Sequence, residues 1–99
     1  MTAEEPPAAG WMVYVLLSGD GERTYVGIAR DPEERLAKHN GERPGGAKAT
    51  RARRPWSIAI THGPYPTRGE AQRVEHRLKQ RPGRRRLEPL EVDESDDEA

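Results

Sequence analysis

The sequence predicts a small α+β fold, and three observations predict it. Two short runs of strand-forming residues, 11–17 and 23–29, flank a glycine-rich turn. A third alternating run lies at 56–62. Two capped amphipathic segments, 32–40 and 68–80, read as helices. "WMVYVLL" (11–17) is too short for a typical helix and suits a central strand. "SGDGE" is a turn by composition, and "RTYVGIA" (23–29) resumes β-type residues, so 11–29 reads as a hairpin with Tyr14 on one strand and Tyr25 on the other.

The first helix announces its start in Asp31-Pro32-Glu33-Glu34. Aspartate can cap, proline suits the first helical position, and Glu34 can close a capping box, while both glutamates favour the positive end of the dipole. Gly41 is a natural stop. The stretch "GERPGGAKATRARRP" (41–55) reads as a basic loop with room for one short helical turn. "WSIAITH" then places Trp56, Ile58 and Ile60 on one face of a third strand. Thr67 and Glu70 form a second capping pair, and "RPG" at 81–83 ends the helix that follows.

A chain of 99 residues allows one domain. The first ten residues have no apolar periodicity, and 88–99 hold seven acids and no base. Neither segment buries enough apolar surface to offset its ordering entropy. The expected organisation is therefore a disordered extension (1–10), a folded domain (11–87) and a disordered acidic tail (88–99). The zero net charge hides a separation: 1–87 carries 17 bases against 10 acids, and the core without Glu4 and Glu5 is +9. Such a body suits a polyanion, most simply nucleic acid; the plain alternative is a solvated arginine-rich surface. The tail reads as a solubilising segment or, in a further reading, as one that folds back and competes with nucleic acid.

Cysteine is absent, so disulfides, thiolate metal sites and cysteine nucleophiles are excluded. His39, His62 and His76 lack metal-ligand spacing. No apolar run reaches membrane-spanning length, and the N-terminus is acidic where a signal peptide would be basic. The expectation is a soluble, cytoplasmic protein with no membrane partner.

Three groupings carry chemistry. Glu75 lies among Ala71, Val74 and Leu78 on the apolar stripe of the second helix, where a carboxylate is costly unless a base or a metal compensates it. Its structural alternative is an ion pair with a nearby arginine at the stripe's edge. Arg35 and His39 are one turn apart and point together, though such a pair is commonly a solvated face. Tyr14 and Tyr25 can meet across the hairpin, though strand tyrosines are commonly core fillers. Taken together, a carboxylate for a hard cation, an arginine for phosphate, and tyrosine or histidine for proton transfer suit phosphodiester hydrolysis.

"VYV" (13–15), "YVG" (25–27), Arg35, His39 and Glu75 resemble, in order and spacing, the GIY-YIG nuclease domain, and the likeness covers residues 12–80. "HNGERPGGAKATRARRPW" and "EHRLKQRP" look most like the catalytic subunit of the eukaryotic structure-selective flap and Holliday-junction nuclease; they also resemble small stand-alone bacterial members. Met12-Val13-Tyr14 stands where Gly-Ile-Tyr would be, and Ile28 replaces a lysine found in some members.

The resemblance implies a three-stranded antiparallel sheet flanked by helices, and a metal-dependent endonuclease. One Mg²⁺ or Mn²⁺ would be held chiefly by Glu75, Arg35 would stabilise the phosphate, and Tyr14 or Tyr25 would assist the water with His39 tuning the proton transfer. Lys48, Arg51, Arg53 and Arg54, extended by Arg84–Arg86, are the expected backbone contacts to branched or single-stranded DNA. RNA stays open as a substrate, because backbone contacts alone discriminate poorly. The alternatives are a nucleic-acid-binding module of weak activity and a nuclease subunit that requires a protein partner.

Overall fold

The computed structural model describes residues 10–90. Trp11–Leu17 (β1) is the middle strand of a three-stranded antiparallel sheet, between Thr24–Ala29 (β2) and Ser57–Tyr65 (β3). Val13, Tyr14, Val15 and Leu16 are all buried, a continuous run because both faces of the strand are covered. Val13 and Val15 pack with Val26 against Ala71 and Leu78 of the helix Arg68–Lys79 (α2). Tyr14 and Leu16 point the other way, towards Leu36 of the helix Pro32–His39 (α1), with Ala29 and Trp56. The result is the α+β architecture expected from the sequence, with tyrosine built into the smaller of two cores.

Each helix is capped where expected, but only half of each capping box forms. The Asp31 carboxylate accepts from the Glu34 amide and the Thr67 hydroxyl from the Glu70 amide. The Glu34 carboxylate turns instead to Lys38 (3.8 Å) and Arg43 (3.4 Å), cations that compete with the cap amide for it. The C-terminus of α1 closes as a Schellman motif: Glu42 N–H donates to Ala37 and Gly41 N–H to Lys38, with Gly41 at φ +83°.

One expectation is corrected in β3. Trp56 and Ile58 do share a core with Tyr14, but Ile60 packs in the opposite one, with Val13 and Val15. Val15 pairs with Ile60 and Leu16 with Ile58, so Ala59 is an extra residue on β3, and this bulge reverses the alternation. β3 also continues to Tyr65, carrying Pro64 where an edge strand tolerates it.

Beyond α2, Gly83–Leu87 forms a 3₁₀ turn, and Leu87 and Leu90 pack on the Val13–Val15 core. Apolar contacts thus run three residues past the expected limit at 87. The remaining parts of the N-terminal extension and acidic tail, 1–9 and 91–99, lie outside the described residues. No helix among the described residues is long and apolar enough to cross a membrane.

Candidate active site

Gly27 sits opposite Tyr14 in the β1–β2 register, and the tyrosine ring crosses the edge strand at that point. A Cβ on Gly27 would lie 2.5 Å from the Tyr14 hydroxyl and 2.6 Å from Cζ. The glycine of "YVG" is therefore a notch through which a buried strand residue delivers its hydroxyl to α1. There Tyr14 Oη meets His39 Nε2 at 3.0 Å.

His39, the last residue of α1, is fully buried, and its other nitrogen, Nδ1, lies 2.9 Å from Thr50 Oγ1. Thr50 has one hydroxyl hydrogen, and that hydrogen goes to the Ala47 carbonyl (2.9 Å). Thr50 must therefore accept from His39 Nδ1–H, which leaves Nε2 as the acceptor for the Tyr14 hydroxyl. The chain of donors runs from Tyr14 through His39 and Thr50 to the backbone. Burial, and secondarily the charge of Arg35, lowers the His39 pKa. Burial also raises that of Tyr14 against the opposing pull of Arg35. Near neutral pH both groups are uncharged.

The loop 41–55 exists in large part to hold this arrangement. Asn40 grips the Trp56 backbone with both ends of its amide, accepting from N–H (2.6 Å) and donating to C=O (3.0 Å). The Trp56 indole N–H donates back to Thr50 and Ala52 carbonyls, and Arg54 Nε donates to His39 C=O. Thr50, Asn40 and the notch at Gly27 were not singled out by sequence reasoning. The signal available for them was a threonine and a tryptophan set in an otherwise polar, glycine-rich stretch.

The opposite side of the site is less complete. Arg35 projects beside Tyr14 and His39, yet its Nε is buried with no hydrogen-bond partner among the described residues. Glu75 extends from α2 to within electrostatic reach of Tyr14, and its side chain is 20 % exposed. It pairs with Lys79 at 3.1 Å, the structural alternative raised by its position, with lysine in place of arginine. Tyr25 packs its ring against His39, centroids 4.8 Å apart, and its hydroxyl makes no hydrogen bond among the described residues. The five residues singled out in the sequence thus converge, with Tyr14 and Tyr25 in different relations to His39.

Among the described residues no three His, Asp or Glu side chains gather as a metal cage. A lone, partly exposed carboxylate fits one kind of cation: a hard ion such as Mg²⁺, which keeps several waters and takes its other ligands from substrate phosphate. Glu75 is the residue that would hold it.

The expected nucleic-acid contacts divide. Lys48 and Arg51 are exposed and unpaired among the described residues, and Arg51 borders a basic cleft of about 480 Å³ with Lys38, Arg43 and Arg54. Arg53 is tied to Asp20 of the hairpin turn, with φ +66°, and Arg54 is tied to His39. Arg84 and Arg86 donate to backbone carbonyls of Gly21, Lys79 and Arg81, and Arg85 pairs with Glu88. Among the described residues, then, Lys48 and Arg51 of this set have no such partner, and the others are engaged by neighbouring groups of the chain.

A cation for a charged phosphate and a relay for a proton are two requirements of a phosphodiester-cleaving enzyme, and the scaffold belongs to a family of that class. A family model of the GIY-YIG catalytic domain matches residues 10–88, and the chain belongs to this family. It is 46% identical over 77 residues to a UPF0213 protein of Nitratidesulfovibrio vulgaris, covering 78% of this chain and 66% of that protein. A UPF0213 protein of Xanthomonas campestris is 42% identical over 82 residues, covering 83% and 76%. The structure-specific endonuclease subunit SLX1 of Meyerozyma guilliermondii is 46% identical over 71 residues, which is 68% of this chain but only 24% of the fungal protein. The chain spans about a quarter of that relative.

Proposed function

We propose that this protein is a metal-dependent endonuclease that hydrolyses DNA phosphodiester bonds, acts on branched or single-stranded substrates, and works in the cytoplasm. The observation that carries the reading is the hydrogen-bond chain Tyr14–His39–Thr50 set beside Arg35. A water attacking phosphorus gives its proton to Tyr14 Oη as Tyr14 passes its own to His39 Nε2. The new P–O bond forms, the bond to the leaving oxygen breaks, and that oxygen takes a proton from solvent. Arg35 neutralises charge gathering on the phosphate, and its unpartnered Nε is a donor that such an oxygen would satisfy. A divalent ion at Glu75, Mg²⁺ or Mn²⁺, would supply Lewis-acid polarisation of the phosphate. Tyr14 rather than Tyr25 takes the proton-transfer role, because only Tyr14 reaches a histidine nitrogen.

Backbone contacts from Lys48 and Arg51 supply affinity without reading sequence, which favours a substrate recognised by shape or strandedness. The fungal relative is described as a subunit, and this favours a second reading in which a protein partner is needed. The test is a nicking assay on end-labelled single strand, duplex, 5′ flap and four-way junction, with Mg²⁺, Mn²⁺ or chelator. Metal-dependent cutting that Arg35→Ala and Glu75→Ala both abolish is the expected result. Binding without cutting on every substrate would overturn the reading for the isolated chain.

A further inference from the structure

At the N-terminal end of β1, Trp11 is only half-buried, although the middle of the strand is sealed. Two guanidiniums flank its indole: Arg30, just beyond β2, at 4.9 Å from the ring centroid, and Arg68, the first residue of α2, at 5.5 Å. Both arginines are exposed, and neither has an ion-pair partner among the described residues. With Ile28 they line a cleft of about 420 Å³ that also takes in Arg35. The cleft is therefore continuous with the place where the scissile phosphate is held. Its two acids are already engaged: Asp31 caps α1 and Glu34 faces Lys38 and Arg43.

This is an unusual grouping for a surface that has only to be wet. A guanidinium lying on an indole occupies the ring face on which a nucleobase would stack. When a base takes that face, the displaced arginine is left beside it, free to meet the neighbouring phosphate. Stacking of this kind tolerates any base, because each has a π-face, but it requires that the base be out of the duplex. The cleft size lies within the range of roughly 300–1,000 Å³ usual for small-ligand sites.

We propose that the Trp11–Arg30–Arg68 cleft seats an unpaired nucleotide adjoining the scissile phosphate, with its base on Trp11 and its phosphate between the two arginines. The proposal rests on the nuclease reading for the position of the scissile phosphate, and it specifies the substrate: a strand that is single-stranded next to the cut.

Equilibrium binding of a short fluorescent single strand and of a blunt duplex, measured in chelator with the full chain, tests it. Trp11→Ala should weaken single-strand binding about tenfold or more and duplex binding less than about twofold. Trp11→Phe, which keeps a stacking ring, should stay within about threefold of the wild type. Arg68→Ala should weaken single-strand binding and lower the salt slope by about one. Equal losses of both substrates in Trp11→Ala, or none, would overturn the proposal. If thermal melting shows Trp11→Ala unfolded, Arg68→Ala decides, since that side chain is exposed. A selective single-strand loss supports the cleft and an unchanged affinity removes it. Cleavage measured in parallel separates the two readings. Cutting that ignores Trp11 sinks the cleft and leaves the nuclease, whereas Trp11-dependent binding without cutting does the reverse.

Discussion

The two walls of the site are built to different standards. On the α1 side, Tyr14, His39 and Thr50 are buried, each hydrogen-bonded in a chain that ends on a backbone carbonyl. On the facing wall, Glu75 of α2 is partly exposed and, among the described residues, paired with a surface lysine. Arg35, carried by α1 but turned to that side, has an Nε with no partner among the described residues. On the proposed reading, proton transfer demands a fixed tautomer and a fixed distance, so the first wall would be finished before substrate arrives. Phosphate and metal would bring their own charges and ligands, and the wall that would meet them is left incomplete. A site of this design should tolerate change poorly on one side and more easily on the other.

Breaking the finished wall should have the largest effect. Tyr14→Phe removes the hydroxyl and keeps the ring, and single-turnover cleavage should fall by about 10²–10⁴-fold. Gly27→Ala places a methyl where the Tyr14 ring passes. It should cost about 1–3 kcal/mol in a urea titration and lower cleavage by about 100-fold, because the hydroxyl is pushed from His39.

Thr50→Val is a sharper instrument, since the shape is kept while the hydroxyl that accepts from His39 Nδ1–H and donates to the Ala47 carbonyl is lost. Cleavage should drop about tenfold, and stability should fall by about 1–3 kcal/mol for the buried N–H left unpaired. Thr50→Ser should restore most of both. A valine variant with wild-type rate and stability would show that Thr50 does not set the tautomer.

The pH dependence follows from His39. Burial and then Arg35 hold it below the ordinary value of about 6.5, so it stays neutral where an exposed histidine would begin to charge. Cleavage should therefore keep its rate as pH falls through about 6.5 and fail only at lower pH. For stability, the unfolded chain binds the proton first, so ∂ΔG/∂pH is positive between the folded and unfolded pKa values. His39's contribution is complete above about 6.5 and is lost as pH falls towards the folded value. His62, also held low by burial and then by Arg81, acts in the same direction. The rate profile, read beside a His62→Gln control, isolates His39.

The unfinished wall gives the smallest effect. Lys79→Met frees Glu75 from a pair that is half solvent-exposed, and stability should change by less than about 0.5 kcal/mol. The metal concentration for half-maximal cleavage should fall a few-fold, because the lysine no longer competes for the carboxylate. A large destabilisation would place the Glu75–Lys79 pair among the structural contacts instead.

The difference between the walls also explains what the sequence disclosed. Strands, helices and caps were legible because alternation, an Asp-Pro start and a terminal glycine act locally. The five converging residues were legible through their order and spacing. The bulge at Ala59 was not, since one inserted alanine leaves no mark on composition and yet sends Ile60 to the other core. Thr50 was hidden for a related reason: a basic loop reads as surface, while three tertiary contacts, at Asn40, Arg54 and Trp56, turn it inward. The pairing of Arg53 was hidden too, because its partner, Asp20, lies 33 residues away.

The central claim is that neutral His39 stands ready, with Nε2 free, to accept a proton from Tyr14. The ¹⁵N chemical shifts of its imidazole at neutral pH measure this directly. Protonated Nδ1 and unprotonated Nε2, with the pattern lost in Thr50→Val, is the predicted result. A proton on Nε2, or an imidazolium with both nitrogens protonated, would contradict the account, because Tyr14 would then have nowhere to send its proton.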